Sequence, residues 1–382
     1  MLETITARRL LTPQGAVDYP VVRVDGDGLI RSIDCASSSK EDSTLTPSFL
    51  DIHTHGAANH DVMEGTPKAL TAVSRFLATR GVGRYLATTV TAPIDKTLHS
   101  LEGIANAIES PVRDAAIPIG IHLEGPFISH AKRGVHPPAD ILPPDIALFD
   151  RFQQAARGHI RLMTIAPEIP GALDLIEHAA KQGVRLSLGH TNATSSEALA
   201  AIAAGATSAT HTYNAMRPLD HRDPGVLATV LDDDRLFAEL ICDGVHVAPE
   251  LVRLWLKAKG SVRAILVTDS MSATGMPDGI YTLGTMKVAV SNGRAYAADD
   301  EAKGKHTLAG SVLTLDRAVA NLQRFTGATL ATAVRLVTHN PATLLGLDAN
   351  IAAGQPASFN VFNATGQLES TILRGVLAPT GA

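Results

Sequence analysis

The sequence predicts an α/β protein: a (β/α)8 barrel of the TIM type, with a small β domain assembled from both ends of the chain. Three observations carry this expectation. From Pro47 onward, short apolar runs alternate with helix-patterned stretches, and eight such runs precede residue 270. Residues 1–46 are instead β-branched and rich in turn pairs, and residues 345–382 return to short strand-like runs. Finally, 382 residues at 45% hydrophobic content can bury one large core and a smaller companion.

At the start, Ile5-Thr6-Ala7, Val21-Val22-Arg23-Val24 and Leu29 to Ile33 read as short antiparallel strands, with Asp25-Gly26 and Asp27-Gly28 as tight turns. Cys35 to Thr44 is a polar connector. The eight barrel strands are expected at Phe49–His53, Arg84–Thr91, Pro118–Glu124, Ile160–Ala166, Arg185–His190, Ser208–Thr212, Phe237–Cys242 and Ala264–Asp269. Helices are expected at Pro67–Thr79, Leu98–Ile108, Ile146–Ala156, Leu173–Gln182, Ser196–Ala204 and Pro249–Lys259, several closed by Gly81, Gly183, Gly205 and Gly260. An open doubly wound sheet is the competing topology. It usually carries a glycine-rich phosphate loop after its first strand, and none is present. Beyond the eighth strand, Lys287–Ser291 and Arg294–Ala298 flank Asn292-Gly293, a strong hairpin signal. Helices over Ser311–Phe325 and Leu330–Leu336 follow, then strands at Ser358–Phe362 and Ser370–Arg374, which pair most economically with the N-terminal strands.

Composition narrows the function. A formal charge of -5 and the lack of any long Lys/Arg cluster argue against nucleic acid as a partner. No basic leader with an apolar core opens the chain and no run approaches membrane-spanning length, so no membrane partner and a cytoplasmic location are expected. Cys35 and Cys242 lie far apart and outside any C-x-x-C pattern, which excludes a disulfide framework and reads both as small buried hydrophobes.

The chemistry centres on Phe49-Leu-Asp-Ile-His-Thr-His-Gly56. In a strand, residues i and i+2 face the same way, so His53 and His55 can reach one ion. With fifteen histidines in the chain, such a pair can also arise by chance. The other strands weigh against chance: the third ends in His122-Leu-Glu124, the fifth in Gly189-His190, the sixth in His211 and the eighth in Thr268-Asp269. Barrel enzymes assemble their sites from the C-terminal ends of strands, so these residues share one mouth. Histidine and carboxylate donors without thiolates suit zinc, iron(II), manganese or cobalt, and five candidate ligands allow one or two ions, bridged by Glu124. Such an ion lowers the pKa of water from about 15.7 to about 7 and polarises a carbonyl or phosphoryl oxygen, which implies hydrolysis. Asp269 is the candidate for a carboxylate, not itself a ligand, that moves the proton.

The chain resembles the N-acetylglucosamine-6-phosphate deacetylases of the amidohydrolase superfamily. The motifs that carry the resemblance are Pro47 to Gly56, His122-Leu-Glu-Gly-Pro-Phe127, Lys132-Arg-Gly-Val-His136, Leu188-Gly-His-Thr191, Thr210-His-Thr-Tyr-Asn-Ala-Met216, Asp223-Pro-Gly225, Asp243-Gly-Val-His246, Thr268-Asp-Ser-Met271, Leu308-Ala-Gly-Ser311 and Asn340-Pro-Ala342. Together they span almost the whole chain. The resemblance implies a β-sandwich from both termini beside the barrel, a homodimer, and deacetylation of a sugar phosphate in amino-sugar catabolism and cell-wall recycling. It further implies that Glu124, His190 and His211 hold the essential ion and that His53 and His55 hold a second. Asp269 maps to the general base and acid, and His246 to the group that steadies the oxyanion. Val135, His136, Asn214, Ala215, Arg222, Leu308, Ala309 and Gly310 map to contacts with the sugar or its 6-phosphate. For Arg222 there is a separate rationale, because a planar guanidinium matches phosphate oxygens bidentately. Ser272 and Thr274 depart from the small apolar residues common at those places in the family. Competing readings are an N-acetylgalactosamine-6-phosphate deacetylase, a cyclic-amide or N-acyl amino acid hydrolase, and a non-enzymatic binding barrel. Many two-metal relatives place a bridging lysine after strand four, where this chain has Thr164-Ile-Ala-Pro-Glu168.

Overall fold

The computed structural model describes residues 1–301 and 303–379. Eight parallel strands form the central sheet in chain order: β1 (Phe49–Thr54), β2 (Val82–Thr89), β3 (Ile117–Glu124), β4 (Ile160–Ile165), β5 (Arg185–Leu188), β6 (Ala206–Ala209), β7 (Phe237–Ile241) and β8 (Ala264–Val267). The sheet closes at the mouth, where Asp269 N–H donates to His53 O at 2.9 Å and His55 N–H to Ser270 O at 2.8 Å. Every position of β1, β7 and β8 is buried. Covered on both faces, parallel strands become near-continuous apolar runs, and this is why they could be counted in the sequence.

The helices between them are α1 (Pro67–Ala78), α2 (Ile94–Glu109), α3 (Ile146–Ala155), α4 (Ala172–Lys181), α5 (Ser195–Ala204), α6 (Gly225–Asp232) and α7 (Pro249–Arg263), with α8 (Leu315–Thr326) after β8. Local chemistry sets their starts. Thr66 accepts from Ala69 N–H ahead of Pro67, and Thr194 and Glu197 form a reciprocal capping box on α5. Two expectations need correction. Gly260 does not close α7: it breaks the helical backbone at φ 61°, and the helix resumes to Arg263. The helix expected from Ser311 begins only at Leu315, because Ser311 is drawn into extended pairing with the site loop through Ser311 N–H to Asp269 O at 2.7 Å. The sequence reading also missed α6, whose Pro224-Gly225 start imitates a turn, and the helix His339–Leu345. Pro341 costs that helix little, since the first-turn N–H groups have no intrahelical acceptor.

Both chain ends meet in a six-stranded sheet, where Phe359–Phe362 pairs antiparallel with Thr44–Pro47. A three-stranded sheet of Thr4–Thr6, Pro20–Val24 and Ile30–Cys35 shares its core through Ile5, Leu10, Val22, Ile30, Leu45 and Phe359. The hairpin at Asn292-Gly293 gains a third strand, Gly279–Leu283, and this sheet packs Leu283 and Val288 against Met271 and Ala309 beside the barrel mouth. Among the described residues, no helix is long and apolar enough to cross a membrane.

Candidate active site

His53 and His55 leave β1 on the same side, as the strand period requires, and both are buried. Glu124 is the last residue of β3. The other three were expected at strand ends. They lie two residues beyond the strands, each in the left-handed region: His190 after Leu188 at φ 47°, His211 after Ala209 at φ 28° and Asp269 after Val267 at φ 50°. A left-handed residue bends the chain off the strand axis, and His and Asp tolerate that conformation better than most.

Two donor sets result, His53/His55/Asp269 and Glu124/His190/His211, each with its ligand atoms within 4.8 Å of one another. Glu124 faces both. Its Oε1 lies 3.4 Å from His190 Nε2 and 3.2 Å from His211 Nε2, and its Oε2 lies 3.4 Å from His53 Nε2 and 3.2 Å from His55 Nε2. Asp269, expected to stand free of the ligands, belongs to the first set: its Oδ1 is 3.2 Å from His55 Nε2 and 3.6 Å from His53 Nε2.

The donor set fits divalent ions on three counts. First, acceptors fix the ring tautomers. Nδ1–H of His55 donates to Thr88 O, that of His190 to Lys132 O (both 2.9 Å) and that of His53 to Glu239 Oε2 at 3.2 Å, so each Nε2 is left with a lone pair aimed inward. Second, His53 Nε2 is buried without a hydrogen-bond partner. Third, Glu124, Asp269 and Glu239 converge in the interior, and among the described residues none of them is paired with a lysine or arginine. Buried carboxylates need compensating positive charge. In the bare protein, burial pushes the Asp269 carboxyl up, but His53 and His55 outweigh it and hold it down at about 2. Burial likewise depresses His55, yet Asp269 and Glu124 raise it to about 9. The site therefore stores protons where divalent ions would replace them.

A cavity of about 320 Å³ opens above the donors. Its wall includes His55, Glu124, Val135, His136, His190, His211, Asn214, Ala215, His246, Asp269, Leu308 and Gly310. His246 Nδ1 donates to Asp243 Oδ2 at 2.6 Å; burial depresses this ring, but Asp243 reverses that and holds its pKa above the ordinary value. At His136, Thr91 N–H donates to Nδ1 at 3.3 Å, which puts the proton of the neutral ring on Nε2. Burial, reinforced by His190, keeps that ring uncharged.

Two expected residues fall elsewhere. Ala309 is fully buried behind the wall, in the core of the mouth-side sheet. Arg222 is exposed on the loop after β6 and does not line the cavity of its own chain; within that loop Asp220 Oδ1 accepts from Arg222 N–H at 2.9 Å. Ser272 and Thr274 do not line the cavity either: their hydroxyls donate to Thr282 O and Ser311 O and fasten the Asp269 loop. Sequence reasoning assigned no role to Glu239, His122, Asp243 or Lys132. For Glu239 the available signal was a lone carboxylate inside the apolar run Phe-Ala-Glu-Leu-Ile, and for Asp243 its i, i+3 spacing to His246.

Fold and site together define a metal-dependent hydrolase built on a (β/α)8 barrel. The chain belongs to the amidohydrolase family, whose sequence profile matches residues 44–378. It is 37% identical to the N-acetylgalactosamine-6-phosphate deacetylase of Escherichia coli O157:H7, over 93% of each chain. It is also 37% identical to the N-acetylglucosamine-6-phosphate deacetylase of Bacillus subtilis (strain 168), over 88% of this chain and 85% of that one. In structure it resembles a mutant N-acetyl-D-glucosamine-6-phosphate deacetylase from Mycobacterium smegmatis in complex with N-acetyl-D-glucosamine-6-phosphate, with TM-score 0.92, 33% identity and 99% of each chain covered.

Proposed function

We propose that this chain hydrolyses the acetamide of N-acetyl-D-glucosamine 6-phosphate, giving D-glucosamine 6-phosphate and acetate. The observation that carries the reading is a cavity over two adjoining donor sets, with Glu124 of one facing the histidines of the other and with Asp269 and His246 in its wall. Glu124, His190 and His211 hold one divalent ion, and His53 and His55, with Asp269 beside them, hold a second; zinc, iron(II), manganese and cobalt all suit these donors. An ion bound there lowers the pKa of water to about 7 and polarises the amide carbonyl.

The protein's own groups supply the rest. Asp269, ionised by its imidazole neighbours, accepts the proton of the attacking water as the new C–O bond forms, and returns it to the amine nitrogen as the C–N bond breaks. His246, whose charged form Asp243 favours, donates from Nε2 to the amide oxygen as negative charge develops there. His136 presents an Nε2–H to the sugar, while Val135, Asn214, Ala215, Leu308 and Gly310 shape the space around it. Arg222 binds the 6-phosphate. Its exposure on a loop with the exposed Leu219 supports a homodimer in which this loop serves the neighbouring cavity. We place the enzyme in the cytoplasm, where phosphorylated sugars are found.

A second reading is favoured by the Escherichia coli relative: the C4 epimer, N-acetylgalactosamine 6-phosphate. Acetate release by metal-loaded protein, compared as kcat/KM for both phosphorylated epimers and for unphosphorylated N-acetylglucosamine, tests both. A preference of about 100-fold for the phosphorylated gluco sugar, about 2.7 kcal/mol, is the expected outcome. Equal rates with and without phosphate would refute the substrate, and a galacto preference would select the second reading.

A further inference from the structure

We infer that Glu239 is a positioning residue that makes the His53 side of the centre competent to hold an ion, and thereby sets how many ions the chain binds. The inference rests on the two-ion reading above. Glu239 sits mid-strand on β7, fully buried. Its Oε2 faces His53 Nδ1 at 3.2 Å, a contact that a proton on Nδ1 bridges, which leaves the lone pair on Nε2. That lone pair points toward Glu124 Oε2 at 3.4 Å and Asp269 Oδ1 at 3.6 Å, a repulsive arrangement unless a proton or a metal ion lies among them.

The other proposed ligand rings whose Nδ1 is engaged use neutral backbone carbonyls, Thr88 O for His55 and Lys132 O for His190. Among the proposed ligand rings, His53 alone is backed by a carboxylate side chain, which raises the basicity of its Nε2 beyond what a carbonyl can do. Glu239 also meets the second donor set, but only through the backbone, accepting weakly from His211 N–H at 3.4 Å. The main chain there has its own tie, Thr212 N–H to Glu239 O at 2.8 Å, which does not depend on the carboxylate. Loss of the carboxylate therefore falls on the ion beside His53 and spares the ion at Glu124, His190 and His211.

The test is a zinc titration of metal-stripped protein against a competing chelator dye, with bound metal counted by mass spectrometry, on wild type, Glu239→Gln and Glu239→Ala. Wild type should bind two ions. In both variants one Kd should weaken by roughly 10 to 100-fold while the other changes less than about 3-fold, and His53→Ala should remove the same ion. Unchanged affinities, or equal weakening of both, would overturn the role of Glu239. A wild type that binds a single ion would overturn the two-ion reading itself, and that result appears before any variant is made. Should the variants fail to fold, side-chain nitrogen NMR of zinc-loaded wild type decides the matter. His53 protonated at Nδ1 is expected, and protonation at Nε2 refutes the inference.

Discussion

The two donor sets of the mouth are built in opposite ways. His53 and His55 are neighbours on one strand, and their convergence follows from the two-residue period of β1. Glu124, His190 and His211 come from β3, β5 and β6 and meet only because the sheet closes into a barrel. In the first, local pair His53 faces a buried carboxylate, Glu239, and His55 the Thr88 carbonyl, whereas in the second set His190 faces the Lys132 carbonyl. A locally encoded ligand pair is easy to gain or lose by point substitution; one assembled from three strands depends on the whole fold.

The largest test of this contrast acts on the group that touches both reaction and ligands. Asp269→Asn should lower kcat by roughly 100 to 10,000-fold in single-turnover assays, while the ion at Glu124, His190 and His211 is retained. Substantial turnover would remove Asp269 from its role. Next, His190→Ala and His55→Ala should each reduce the bound metal by one ion per chain by elemental analysis, but only His190→Ala should abolish activity. Equal losses would erase the distinction between the sets. Chelation should lower thermal stability, by about 4 kcal/mol where free metal stood at 1,000 times Kd, and calorimetry should recover it on readdition of metal. The smallest effect concerns pH. Because the folded pKa of His246 is raised, its positive charge and the stabilisation it gives are present below that value and lost as pH rises through it. Asp243→Asn removes the raising partner, so the alkaline limb of kcat should move to lower pH, costing about 10-fold near the limb. An unmoved limb would mean that His246 does not act as a cation.

The barrel was legible because short, largely apolar strands alternate with helix-patterned stretches, and the ligands because they follow those strands. What escaped did so for identifiable reasons. Helix α6 hides behind Pro224-Gly225, a pair that local chemistry assigns to a turn. Glu239 lies where a sequence pattern expects only core, and its role emerges from a contact with His53 across the barrel. Arg222 lies on an exposed loop outside the cavity of its own chain, and no residue pattern encodes where an exposed loop points. Ala309 was displaced by one residue's alternation, since Leu308 and Gly310 face the cavity and the residue between them faces the core.

The left-handed backbone at His190, His211 and Asp269 has a thermodynamic consequence. Non-glycine residues held there cost of order 1–3 kcal/mol each, and the same region recurs at Tyr213 and Ala215 in the same rim. The working mouth is therefore a liability to the fold, tolerated because a large apolar barrel core lies beneath it. Glycine at those three positions would ease the backbone, but it would also remove donors through which bound ions stabilise the fold and leave Glu124 buried without two of its imidazole partners, so the strain is offset only by what the mouth binds.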